Sequence, residues 1–155
     1  MENKTSLIIV VVVAIFLIFG FIGYSYFSNQ NNHVEISGVV FTIPEGYNQV
    51  DYLSDNEVNM SNGYNSMILL KSNTTGIHKN IHDYQKYKHN HNFSSESSNF
   101  TVNNITVFKV VILNDTGIIH YWFDYNNNTF SVYSWDANKN SDVFVSELIN
   151  SIESK

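Results

Sequence analysis

Hydrophobic and polar positions divide the chain into a continuous apolar run and a longer stretch of short alternating and periodic segments. Residues 7–27 read LIIVVVVAIFLIFGFIGYSYF, without a charge over 21 positions. A helix of that length reaches about 31 Å at 1.5 Å per residue, enough to cross the hydrocarbon core of a bilayer. A core helix of a small domain carries a polar face, and this run has none. Lys4 precedes it and no lysine follows until Lys71, so the positive-inside rule places residues 1–6 in the cytoplasm and the remainder outside. Tyr24, Tyr26 and Phe27 form the outer aromatic belt. A cleaved signal peptide is the rival, but its apolar core is shorter and a small-x-small site follows it. Gly23-Tyr24-Ser25 is a poor site of that kind.

Residues 28–33 (SNQNNH) are a polar tether. From 34 to 155 the pattern predicts one extracytoplasmic domain of strands and two helices. Residues 34–43 are extended, with Gly38 interrupting as a bulge or turn. Residues 57–61 and 65–72 flank Asn62-Gly63, a hairpin signal. The second of these runs is apolar on both faces at its centre, as an interior strand is.

Ile77, Ile81, Tyr84 and Lys88 recur at helical spacing and predict a helix over 77–89, capped by Thr74 or Thr75. Residues 94–99 read as a loop. Three strands follow in a meander, from 100 or 105 to 113, from 118 to 125 and from 129 to 135. Short polar connections between them imply antiparallel neighbours. A last helix over 142–153, with Ser141 as N-cap, gathers Phe144, Val145, Leu148, Ile149 and Ile152 on one face. The expected fold is α+β: an antiparallel β-sheet with two helices packed on one face, preceded by a single N-terminal transmembrane helix.

Composition narrows the function. The chain has no cysteine and no arginine, and eight lysines stand against fourteen acids for a net charge of −6. Disulfides, thiolate nucleophiles and zinc–thiolate sites are excluded. Without arginine and with excess negative charge, nucleic acid is not an expected partner. Asparagine contributes 23 of 155 residues. Eight Asn-x-Ser/Thr sequons begin at Asn3, Asn59, Asn73, Asn92, Asn99, Asn104, Asn114 and Asn127. That is about twice the chance number, and it is compatible with an exposed surface.

The run Gly38-Val39-Val40-Phe41-Thr42-Ile43-Pro44-Glu45-Gly46-Tyr47 resembles the opening of small membrane-anchored proteins of methanogenic archaea. Their aromatic strand and Leu-Ile-x-x-Ile helix are matched by Tyr121, Phe123 and Tyr125 and by Leu148, Ile149 and Ile152. The order of elements is also similar to PsbP/Mog1-like domains. The resemblance implies an accessory or binding protein of the cell envelope, not an enzyme, and it carries over no catalytic, cofactor-binding or metal residue.

Three groups of residues invite chemistry. His78 and His82 share one helix face and His89 lies near it, with His91 following, so imidazole binding of zinc, nickel or copper is the alternative function. Two ligands are short of the three or four such sites use, and Lys79 stands where a zinc protease needs glutamate. His120 and Asp124 share a strand face but sit about 13 Å apart at ~3.3 Å per residue, too far for a relay. Trp122, Tyr133 and Trp135 fall opposite the expected core face. If the helices cover that core face only, these three make an exposed aromatic surface for a protein or glycan partner. The leading expectation is a non-enzymatic binding or accessory module, held to the membrane through residues 7–27.

Overall fold

The computed structural model describes residues 33–47, 49–61, 67–113, 118–135 and 141–152. The expected cytoplasmic segment 1–6, transmembrane helix 7–27 and all of the expected tether 28–33 except His33 lie outside the described residues. Among the described residues no helix is long and apolar enough to cross a membrane.

The chain begins with a small hairpin, β1 (His33–Ile36) and β2 (Val39–Thr42). The extended run expected over 34–43 is thus two strands, and the first described strand begins at His33. Its turn places Ser37 at φ 52° and Gly38 at φ 75°, and two consecutive left-handed residues match the twist of paired strands. Gly38 suits this position because an L side chain is strained there.

Seven further strands form one antiparallel sheet: β3 (Gln49–Ser54), β4 (Glu57–Ser61), β5 (Met67–Asn73), β6 (Ser95–Val102), β7 (Ile105–Ile112), β8 (Ile119–Tyr125) and β9 (Asn128–Ser134). Their order is β3-β4-β5-β9-β8-β7-β6, so the apolar β5 is interior as expected. Two strands differ from the expectation. β3 is not foreseen. Where residues 94–99 are expected as a loop and residue 100 as one of two starts of the next strand, Ser95–Val102 is an edge strand. Its run SESSN lacks apolar alternation because neither face of its first half enters the core.

Helix α1 (Ile77–His91) separates β5 from β6, and α2 (Ser141–Asn150) follows β9. Strand alternation decides where they pack. Ile119, Tyr121 and Phe123 point to one face of β8, and His120, Trp122 and Asp124 to the other. Phe144, Val145, Leu148 and Ile149 of α2 are buried in one cluster with Tyr121, Phe123, Phe130 and Val132. The β1–β2 hairpin joins that same cluster, with the Phe41 ring edge-on to Phe130 at 5.1 Å. α1 lies on the opposite face, its Tyr84 ring 5.6 Å from Trp122 and 6.1 Å from His120.

The two helices therefore cover opposite faces, which corrects the one-face arrangement expected from sequence. The apolar hairpin takes the place on the α2 side that a second helix was expected to fill. α1 is the weaker of the two: none of its residues is fully buried, whereas α2 buries five.

Candidate binding face

The face toward α1 collects every side chain singled out for recognition. Cross-strand register lines up Asn59, Leu69, Tyr133, His120 and Val110 in one row. The adjacent row carries Lys71, Ser131, Trp122 and Phe108.

The local start of α1 is set by the sheet. Gly76 is its N-cap at φ 82°, with no side-chain cap of its own. The expected threonine cap is absent because Asn73 Oδ1 engages Thr75 instead, accepting from its N–H at 2.9 Å and its hydroxyl at 2.6 Å. The Ile77 N–H donates to Asp124 Oδ2 at 3.4 Å, so a carboxylate of β8 sits at the positive end of the helix. Thr129 Oγ1 donates to the other oxygen of Asp124 at 2.6 Å. The carboxylate borders an open cavity of about 310 Å³ with Thr74, Gly76 and Asn126. Its two donors give it a structural role as the helix cap.

Trp122 does not belong to an exposed patch. It is 3% exposed, held between Tyr84, Phe108 at 6.0 Å and His120 at 5.5 Å. The expectation fails because α1 packs over it. Tyr133 and Trp135 keep theirs: Tyr133 is half-buried, and Trp135 is 37% exposed with its rings 6.5 Å away. Two residues that sequence reading did not assign to the site complete this surface. Met67, also 37% exposed, receives the Trp135 N–H at its carbonyl, 3.2 Å away. Leu69 lies opposite Tyr133. The only signal for them was that β5 is apolar on both faces.

Beside Leu69, the Asn59 Oδ1 atom is buried without a hydrogen-bond partner. Ser61 and Gln49 border Met67 and bond each other, hydroxyl to amide oxygen, at 2.9 Å. The result is a four-residue apolar surface with amides and a hydroxyl at its rim.

His120 lies beneath this surface, its ring 4.5 Å from Tyr133. Burial pushes its pKa down to about 4, and its Nδ1 has no hydrogen-bond partner. It is neutral at ordinary pH and acts as one more ring in the aromatic layer. The same burial raises the Tyr84 phenol, against an opposing pull from Ser95.

The histidines of α1 are not brought to a common centre. His78, His82 and His89 are exposed, and the His91 ring lies against Tyr87, tilted 40° with centroids 4.2 Å apart. Among the described residues no group of three or more His, Asp or Glu side chains is placed to hold a metal ion. The other charged cluster is on the α2 face, where Tyr121 and Lys109 each reach the Asp142 carboxylate at 2.8 Å. Burial, and after it the hydrogen bond to Asp142 and then its charge, raises the Tyr121 phenol far above its ordinary range. This network fastens the first turn of α2 to the sheet. Against known proteins, no protein-family model matches the chain and no curated protein does.

Proposed function

We propose that the chain is a non-enzymatic binding module of the cell envelope, held to the membrane by residues 7–27 with its folded domain outside. Its seat is the surface made by Met67, Leu69, Tyr133 and Trp135. The observation that carries this reading is the exposure of Trp135 and Met67 side by side on a sheet face that α1 covers elsewhere. Ser61 and Gln49, joined hydroxyl to amide oxygen, border Met67 and give this surface a polar rim. An indole face beside amides suits a sugar ring, whose C–H face stacks on the aromatic while its hydroxyls take the polar atoms. The charge balance agrees, since neutral sugars make no demand for arginine or lysine. The metal-dependent alternative rests on His78 and His82, to which no group of three or more ligands is added among the described residues.

Trp135 is one of two tryptophans, and the other, Trp122, is buried. Fluorescence titration of the full chain in detergent with neutral hexose and N-acetylhexosamine oligomers should therefore report on Trp135. Binding should be lost in Trp135→Ala and weakened about tenfold in Tyr133→Ala, with melting temperatures close to wild type. An unchanged spectrum with every oligomer sinks the glycan reading.

A further inference from the structure

The seven-stranded sheet ends in two edges that are built differently. β3 has six residues and a register shift between Tyr52 and Ser54, and such bulges turn an edge away from other strands. β6 has eight residues in unbroken register with β7. It holds no proline and no lysine, and Glu96 is its single charge. A long, regular edge without protective devices is a template for a further strand.

Hydrogen bonds of the flanking residues reveal which backbone groups of β6 are free. The Leu113 N–H donates to the Ser94 carbonyl at 3.0 Å, and the Ile112 N–H donates to Ile118 on the opposite side at 3.0 Å. In an antiparallel ladder successive residues bond to alternate sides. Even-numbered residues of β6 therefore bond β7, and odd-numbered residues aim outward. The outward carbonyl of Ser95 accepts from Lys88 Nζ at 3.4 Å. The N–H and C=O groups of Ser97, Asn99 and Thr101 remain for a partner.

We propose that β6 pairs antiparallel with β6 of a second copy of this chain, about a two-fold axis at Asn99. Paired residues must show their side chains on one face, so continuity of the two sheets restricts the allowed centres. With the axis at Asn99, Asn99 exchanges bonds with itself and Ser97 exchanges them with Thr101 in both directions. The outward groups of Ser97, Asn99 and Thr101 are then all satisfied. An axis at Ser98 draws on Ser95, whose carbonyl already holds Lys88, and an axis at Ser97 leaves Thr101 out.

Side chains agree with the same register. Glu96 falls opposite Val102, so no like charges face each other. On the α2 face, Ser98 falls opposite Phe100 of the second copy. There a groove of about 590 Å³ runs between β6 and α2, lined by Ser98, Phe100, Lys109, Val143 and Glu147. Phe100 is half-buried and Val143 is 55% exposed, so the incoming ring meets apolar surface that one copy leaves uncovered. The contact is isologous and closes at two copies.

The test uses the absence of cysteine from the chain. In the paired register the two Asn99 Cα atoms lie about 5.5 Å apart, within disulfide reach. The two Glu96 positions lie about 20 Å apart at ~3.3 Å per residue. Full-length N99C and E96C, mildly oxidised in their own membranes, are compared on a non-reducing gel. N99C should run mainly at twice the monomer mass and return to monomer with reductant, while E96C stays monomeric. Full-length N99P removes an outward N–H without touching the β7 ladder, so it should melt like wild type yet sediment as a monomer in detergent. No N99C dimer, or equal cross-linking of E96C, overturns the proposal. So does an N99C adduct with a different protein, or a glycan on Asn99 in the native chain, where Asn99-Phe100-Thr101 forms a sequon.

Discussion

His120 shows how a single side chain couples this fold to acid. Its imidazole is pressed against Trp122 and Tyr133 and covered by Tyr84, and burial lowers its pKa from 6.5 to about 4. The unfolded chain therefore binds a proton on this residue between those two values while the folded chain does not. Stability through this group is full above about pH 6.5 and falls as the pH drops toward 4, by about 3 kcal/mol at most. His120→Phe should flatten that part of the stability profile relative to wild type, read from urea midpoints at pH 4, 5 and 7. An equal slope in both proteins would show that the imidazole is solvated after all. Asparagine also finds a structural use at this scale. Asn92, Asn103, Asn104, Asn126 and Asn127 all adopt positive φ, a conformation asparagine tolerates better than other L residues. Part of the unusual asparagine content is thus turn chemistry, visible from sequence only as a composition bias.

The two helices differ in how they are held. α2 presents a stripe of four apolar residues, Phe144, Val145, Leu148 and Ile149, to the core and locks its first turn through Asp142. α1 rests on a half-buried strip that includes Ile77, Ile81, Tyr84 and Lys88, with its N-terminus fixed by Asp124. Segments with few buried contacts open first. Amides of α1 should exchange with deuterium well before those of β8 and β9, and Asp124→Ala should speed α1 further at a cost of about 1–2 kcal/mol. Protection of α1 equal to that of β8 would refute the ranking. For α2, Asp142→Ala leaves the Lys109 ammonium, 18% exposed, without its partner. A loss of about 2 kcal/mol is expected, against about 1 kcal/mol for Tyr121→Phe, both from thermal melts. The helical stripes were legible because a 3.6-residue period needs only local sequence. β6 was not, because a polar edge strand has no period to read, and its partner β7 defines it.

At the scale of the whole domain, the hairpin, the sheet and α2 share one core. Val34, Ile36, Val39 and Phe41 are buried with Met60, Leu70, Phe130 and Leu148. The β1–β2 hairpin should therefore not unfold by itself. Phe41→Ala, at a site with 0% exposure, should cost about 3–5 kcal/mol and shift the entire transition. A separate early transition in calorimetry would mean the hairpin is an independent unit. The helices' placement on opposite faces also divides the sheet surface by role. The α2 face is core, and the α1 face is part aromatic layer, part exposed apolar surface at Met67 and Trp135.

Local sequence alone determined the helical stripes, the turns at Gly38 and Asn126-Asn127, the meander and the α+β class, because each is written in spacing between near neighbours. It also determined that Tyr133 and Trp135 share the strand face opposite the core-facing residues of β9. Which face each helix covers was decided by tertiary structure. Alternation separates the two faces of a strand without saying what lies on either. The hairpin occupies the α2 side, and Asp124 at the α1 N-terminus with Tyr84 against Trp122 draws α1 to the other. That choice buried Trp122, left Trp135 beside Met67 in solvent, and placed a polar strand at the sheet's edge.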